Sequence, residues 1–372
     1  MPADLLIAGA GPVGLAVAIE ARLRGLDAVV VERRLPPLDK ACGEGLMPIG
    51  VAQLAALGVA IDPARCASFA GIRFVDAHAT AEGRFADGLG MGVRRTVLSD
   101  ALLARAREVG VELRFGESVT SWSARGDAGV VVTTSRGSGE ARLLVGADGL
   151  HSSIRRMAGL EGAQRGRVRN GMRRHFRVAP AAPFVEVHWS VGAEAYVTPV
   201  GRDEIGVALL WSGEPARYDA LLARFPNLAA RLAGAEPTSR IEGASRLRRP
   251  VLRRHAPGVA LVGDAAGYLD PLTGEGLTLG FRCARALVDT VARGAPLADY
   301  ERAYHSLARS YYQMTGVLLA VAARPWLRRR VVRALARRPD LFDHLLAINA
   351  GQSPLRALGA SGALRLVGGL VG

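Results

Sequence analysis

The sequence predicts an α/β protein: a Rossmann-like domain interleaved with a mostly antiparallel sheet domain, and a helical C-terminus. Three observations predict it. An apolar strand, a glycine-rich turn, a helix and a second apolar strand follow one another over residues 5–32. Two further apolar runs, 143–149 and 259–267, place an acid beside a glycine where the run ends. Between them, residues 184–191 and 205–211 alternate in character with a period of two, as half-buried strands do.

Size and composition set the bounds. A chain of 372 residues buries a sizeable core and suits one large or two interleaved domains. Hydrophobic residues make up 49% and aromatic residues 5%, the balance of a globular protein. Cys42, Cys66 and Cys283 are too few and too scattered for a disulfide framework or a zinc site. No metal is expected, and a reducing cytoplasm is the expected compartment. The formal charge of +14 raises the question of nucleic acid. Lys40 is the sole lysine, however, and arginines are spread along the chain, as GC-rich codon usage would produce. The densest runs, 165–177, 246–254 and 324–338, read as solvated surface, so no nucleic-acid partner is expected. The chain opens Met1-Pro2-Ala3-Asp4 without a basic leader, and the lipophilic stretch 315–323 is far short of the ~20 residues of a spanning helix. A soluble protein is the expectation.

The first strand, Leu5-Leu6-Ile7-Ala8, has the continuous apolar character of a buried parallel strand. It runs into Gly9-Ala10-Gly11-Pro12-Val13-Gly14, a helix through Leu23, a stop at Gly25, and the strand Ala28-Val29-Val30-Val31. This is a complete Rossmann-type dinucleotide unit. Gly9 permits the tight turn, Gly11 admits a pyrophosphate to the backbone, and Gly14 lets helix and strand pack closely. Pro12 opens a helix whose unpaired N–H groups and positive dipole end favour phosphate. Glu32, at the end of the second strand and followed by Arg33, is placed to accept hydrogen bonds from ribose hydroxyls. This unit alone leaves NAD, NADP and FAD open.

The choice between them lies downstream. Gly263-Asp264 ends a third strand, followed by Asp270-Pro271-Leu272-Thr273-Gly274-Glu275-Gly276-Leu277 and a small-residue helix. Gly274 and Gly276 free backbone N–H groups at a second helix start. Asp148-Gly149 ends a further strand. Taken in order, the three segments resemble the glutathione-reductase-type FAD fold of the p-hydroxybenzoate hydroxylase and geranylgeranyl reductase group, over roughly residues 1–300. The resemblance implies bound FAD. It assigns Asp264 to the ribityl chain, Asp148 to a motif associated with FAD and NAD(P)H, Pro271, Gly274, Gly276 and Leu277 to the flavin loop, and Arg95 to the start of a helix beside the FAD. Lys40-Ala41-Cys42-Gly43-Glu44-Gly45 resembles the Cys-Gly segment of geranylgeranyl reductases, which lies beside the flavin ring. A glycine is commoner there where Glu44 stands. The Trp-x-Trp-x-Ile-Pro motif of flavin halogenases is absent; residues 194–199 stand in its place.

Residues 1–75, 95–165 and 255–300 are accordingly expected to form the FAD domain. Residues 76–94 and 166–250 are expected to form a sheet that roofs the flavin and holds substrate, and 301–372 to be helical. A hairpin is expected over 125–139. A single G-x-G-x-x-G implies that NAD(P)H, as a transient reductant, shares the flavin groove. The leading expectation is a monooxygenase that hydroxylates or epoxidises a hydrophobic small molecule. A reductase of carbon–carbon double bonds is the alternative, and a non-catalytic flavoprotein a third. Cys42 and Glu44 are the candidate catalytic residues; a tightly packed loop is the structural alternative. His175, His188 and Tyr196 are candidates to face substrate. Glu275, between two glycines, is expected to be set by the flavin loop's electrostatics and not by proton transfer. The basic amphipathic segment 326–338 has two readings. It packs on the FAD domain with its arginines in water, or it rests on a membrane surface; the first is preferred.

Overall fold

The computed structural model describes residues 3–350 apart from 77, 78, 127, 128, 165 and 167. The expected helical region beyond 350, Arg165 of the arginine-rich run, and residues 127 and 128 of the expected hairpin lie outside the described residues.

The first sheet has eight strands. Its main path runs His255–Ala256, Val259–Leu261, Gly137–Gly146, Ala3–Ala8, Ala28–Glu32, Glu112–Phe115. Ala3–Ala8 lies between two parallel partners, with Leu5 opposite Leu143 on one side and Ala28 on the other. Covered on both faces, these strands need no alternation, and Leu5, Ile7, Leu144 and Val145 are fully buried. Val119–Ala124 and Val130–Thr134 extend the sheet as an antiparallel meander with Gly137–Gly146, where the hairpin was expected.

Seven strands make the second sheet, in the order Glu242–Ser245, Arg169–Arg177, Glu204–Ser212, Ala193–Pro199, Val185–Ser190, Gly71–Asp76, Ala79–Arg84. It is antiparallel except where Val185–Ser190 meets Gly71–Asp76. The sheet therefore takes in residues 71–75, which the sequence boundary had placed in the FAD domain. Their assignment comes from pairing with Val185–His188, more than a hundred residues away, and local pattern carries no trace of it. A small sheet of Gly45–Leu46, Gly90–Val93 and Cys66–Phe69 joins the two layers.

Three helices follow the FAD domain's last strand and its helix Gly276–Ala292: Leu297–Ala322, Pro325–Arg337 and Pro339–Asn349. The last two cover the outer strands of the roof. Val332, Leu335, Leu341 and Phe342 share a core with Phe69, Ile72, Val185 and Val187. Arg328 is buried there, its Nε donating to Asp76 (3.0 Å) and its Nη1 to the Ser190 carbonyl (3.0 Å). The basic helix thus packs against protein, as the preferred reading had it, but on the roof and not on the FAD domain. Its one buried arginine found an acid on that sheet, while Arg329, Arg330, Arg333 and Arg337 face outward. No helix among the described residues is long and apolar enough to cross a membrane.

Candidate active site

The cofactor groove is made by backbone. Gly9 has φ +111°, and a Cβ there would lie 2.5 Å from the Ala147 carbonyl oxygen. A Cβ on Gly14 would sit 2.0 Å from the Gly9 oxygen. Gly11 differs: the nearest atom to its Cβ position is an Arg95 guanidinium nitrogen at 4.0 Å, so open space lies before it. The helix Pro12–Leu23 starts at this opening with no side-chain cap. Its first N–H groups are free for an anion. Glu32 closes the turn, accepting from the Ala10 N–H at 3.0 Å.

Two further segments complete the groove. Asp264 is held by Lys40 at 2.8 Å. Burial alone would raise its pKa, but Lys40, with Arg95 and Arg155, holds the carboxyl below its ordinary value. The Asp148 carboxylate accepts from the Ser153 and Ile154 N–H groups (2.7 and 3.2 Å) and from the Ser152 hydroxyl, capping the turn that follows it. Arg155, fully buried, donates to the Ala265 and Leu150 carbonyls at 3.1 and 2.9 Å and ties the Asp148 and Asp264 segments together. An uncapped helix, an open glycine, a terminal acid and a Lys-held aspartate fit a dinucleotide with a polyhydroxylated linker. The residues present therefore fit FAD.

The loop 40–45 bridges groove and roof. Glu44 has φ +61°, a left-handed conformation that costs a non-glycine residue about 1 kcal/mol or more. Three anchors hold it there. Its Oε1 accepts from the Arg95 N–H (2.8 Å), its Oε2 lies 2.5 Å from His175 Nε2, and its carbonyl accepts from the Val93 N–H (3.0 Å). Behind it, His175 Nδ1 lies 2.9 Å from the Ser239 hydroxyl, and Arg173 donates to Asp39 at 2.5 Å. A second buried strut holds the flavin loop. Arg169 spans Glu194 on the roof and Asp270 at the head of the loop, 2.9 Å from each.

Groove and roof enclose one continuous cavity of about 680 Å³. At one end it is lined by Gly9, Gly11, Glu32, Arg95 and Asp264. Its other end is apolar, walled by Ile72, Phe74, Val187 and Leu210 from the roof and by Leu318 and Leu346 from the C-terminal helices. Cys42 and Tyr196 are also on its lining. Burial keeps the Tyr196 phenol well above its ordinary pKa, and its hydroxyl reaches the Leu272 carbonyl at 3.4 Å.

The structure places the sequence candidates unevenly. Gly9, Gly11, Pro12, Glu32, Arg33, Arg95, Asp148, Gly263, Asp264, Pro271, Gly274, Gly276 and Leu277 all line the cavity; Gly14 supports the turn from behind. Among the substrate candidates, Tyr196 is on the lining. His175 is not: its ring is buried between Glu44 and Ser239. His188 is not either, because Val187 takes the inward position and His188 pairs with Glu186 at 2.8 Å. Glu44 lines the cavity with both carboxylate oxygens engaged, by the Arg95 N–H and by His175. Lys40, Arg155 and Arg169 were missed as site residues. In a chain this rich in arginine, a buried one carries no local mark.

Comparisons with known proteins agree with this geometry. The FAD binding domain family matches residues 2–198. Menaquinone reductase of Mycolicibacterium smegmatis is 30% identical, over 83% of this chain and 81% of its own. Dialkyldecalin synthase of Streptomyces rugosporus is 30% identical, over 100% of this chain and 81% of its own. 3-Demethoxyubiquinol 3-hydroxylase of Escherichia coli is 28% identical, over 84% and 85%. A flavoprotein/dehydrogenase structure from Cytophaga hutchinsonii superposes with a TM-score of 0.83 at 21% identity, over 95% of this chain and 94% of that one, which shows the shared fold. The chain belongs to the FAD-binding domain family, as an FAD-dependent oxidoreductase of the group that holds hydroxylases and geranylgeranyl reductases.

Proposed function

We propose that this protein is an FAD-dependent monooxygenase that uses NAD(P)H and oxygen to hydroxylate or epoxidise a hydrophobic small molecule. One observation carries the reading: the cofactor groove opens without a partition into an apolar chamber. A lipophilic molecule in that chamber meets whatever the groove presents, in space from which side chains exclude water. Bound FAD supplies the two-electron chemistry with oxygen. The chain's own residues position it. Gly9 to Gly14 and Glu32 fix the dinucleotide, the Glu44–His175 clamp holds the loop that carries Cys42, and the Arg169 strut fixes the flavin loop. The similarity to a ubiquinol hydroxylase supports this reading.

A second reading, reduction of a carbon–carbon double bond, is favoured by the Cys42 thiol on the lining and by the similarity to a menaquinone reductase. Respirometry separates the two. With lipophilic phenols and polyenes as substrates, the first reading expects substrate-dependent oxygen uptake matched one for one by NAD(P)H oxidation. Stoichiometric NAD(P)H oxidation by an alkene or quinone under argon, with no oxygen requirement, would overturn it in favour of the second.

A further inference from the structure

The apolar chamber holds a polar feature that neither the cofactor groove nor the Glu44–His175 clamp uses. Glu275 stands between Gly274 and Gly276 at the start of the helix Gly276–Ala292 and is only 6% exposed, yet it lines the cavity. A buried carboxyl ordinarily has a cation or several donors around it. Its hydrogen-bond partner here is Asn349 Nδ2, at a long 3.4 Å. Asn349 belongs to the helix Pro339–Asn349, lines the same cavity, and leaves its buried Oδ1 with no partner among the described residues. Whichever way the carboxamide is turned, one of its polar atoms is left over. The charge that acts on Glu275 is Arg282, on its own helix, and burial outweighs it, pushing the carboxyl up to about 8. At neutral pH the group is an O–H donor. Around the pair, the C-terminal helices contribute Met314, Leu318, Val321 and Leu346. A carboxylic acid and a carboxamide with unspent capacity, set in an apolar wall, are a recognition site awaiting a neutral oxygen.

We propose that Glu275 and Asn349 together bind the neutral oxygen head, a ring hydroxyl or carbonyl, of an otherwise apolar substrate. The inference rests on the reading of this chamber as the substrate site, and it commits to no particular reaction. It gives the substrate class a shape: one hydrogen-bonding oxygen function on a lipophilic body. A purely hydrocarbon substrate would leave the pair unsatisfied, at a cost that amounts to about tenfold or more in affinity.

Binding to the FAD-loaded protein, read from perturbation of the flavin absorbance spectrum, tests it without turnover. The probes are 4-nonylphenol and nonylbenzene, which differ by one hydroxyl. The wild type is expected to bind the phenol at least about tenfold more tightly. Glu275→Leu and Asn349→Leu are each expected to reduce that preference to about twofold, while Glu275→Gln, which keeps a donor and an acceptor, retains most of it. Should Glu275→Leu lose its flavin, Asn349→Leu carries the test, since it lies outside the flavin loop. An unchanged preference in Asn349→Leu and in any flavin-loaded Glu275→Leu overturns the proposal. So does failure of both probes to bind the wild type. A protein that shows the preference and its loss, but takes up no oxygen with any substrate, refutes the monooxygenase reading and leaves the Glu275–Asn349 site standing.

Discussion

The cofactor groove and the apolar chamber share one cavity but are built in opposite ways. The groove is made of backbone: glycines whose missing Cβ atoms are the space, an uncapped helix, and acids at strand ends. The chamber is made of side chains from the roof strands and from helices late in the chain. The first construction tolerates almost no change and gives the same answer for any substrate. On the proposed reading, the second is where substrate choice resides, and it is expected to allow re-cutting without touching the flavin. The struts between them, Glu44–His175 and Glu194–Arg169–Asp270, are places where the two are expected to fail together.

The largest effect is expected inside the groove, and it splits by glycine. Gly14→Ala drives a methyl to 2.0 Å from a carbonyl oxygen and is expected to leave no folded, flavin-loaded protein. Gly11→Ala meets no protein atom closer than 4.0 Å. It is expected to fold with an unchanged melting temperature yet bind FAD about a hundredfold more weakly, because the methyl fills the approach to the pyrophosphate. Isothermal titration of the deflavinated protein, beside a melting curve, checks both. Equal losses of stability in the two variants would erase the distinction between a structural and a ligand-facing glycine.

Next in size come the struts. Arg169→Met leaves Glu194 and Asp270 buried without their cation and is expected to cost about 3–5 kcal/mol in denaturant unfolding. An effect of comparable size over its full range is expected at Glu275, and it depends on pH. The folded carboxyl titrates at about 8 against an ordinary value of 4.5, so the protonated form is favoured by folding. The stability tied to it is fully present below 4.5 and is lost as pH rises through 8, by a total of about 5 kcal/mol. Glu275→Gln removes that slope, so the variant should match the wild type near pH 5 and exceed it at pH 9. Parallel stability curves for the two proteins would contradict a buried, unpaired acid. Least of all is expected from Arg330→Ala on the exposed face of the basic helix, within about 0.5 kcal/mol.

The same contrast explains what the sequence disclosed. Gly9, Gly11 and Gly14 are legible because their role is local: strand, turn and helix lie within thirty residues, Gly9 and Gly14 admit no side chain, and Gly11 leaves open space before the helix start. Asp264 and Gly274 read nearly as well, for the same reason. The chamber was not legible. That His175 turns from substrate to clamp depends on Glu44, 131 residues away, and on the pleat that puts Val187 inward in place of His188. Glu275 carried a signal, an acid between two glycines at a helix start. Its meaning depended on Asn349, which nothing in the sequence connects to it. Residues 71–75 went to the wrong layer because strand pairing across a hundred residues leaves no periodicity to read.

Ala208 tests the separation most directly. It lines the cavity from the roof strand Glu204–Ser212, where it lies opposite Tyr196 on one side and Arg173 on the other. Ala208→Phe fills the chamber while leaving the groove intact. The affinities for FAD and for 4-nonylphenol should then part: FAD within about twofold of the wild type, the phenol at least about tenfold weaker. An unchanged affinity for the phenol, or a loss of flavin in step with it, would contradict a backbone-built groove opening into a side-chain-built substrate chamber.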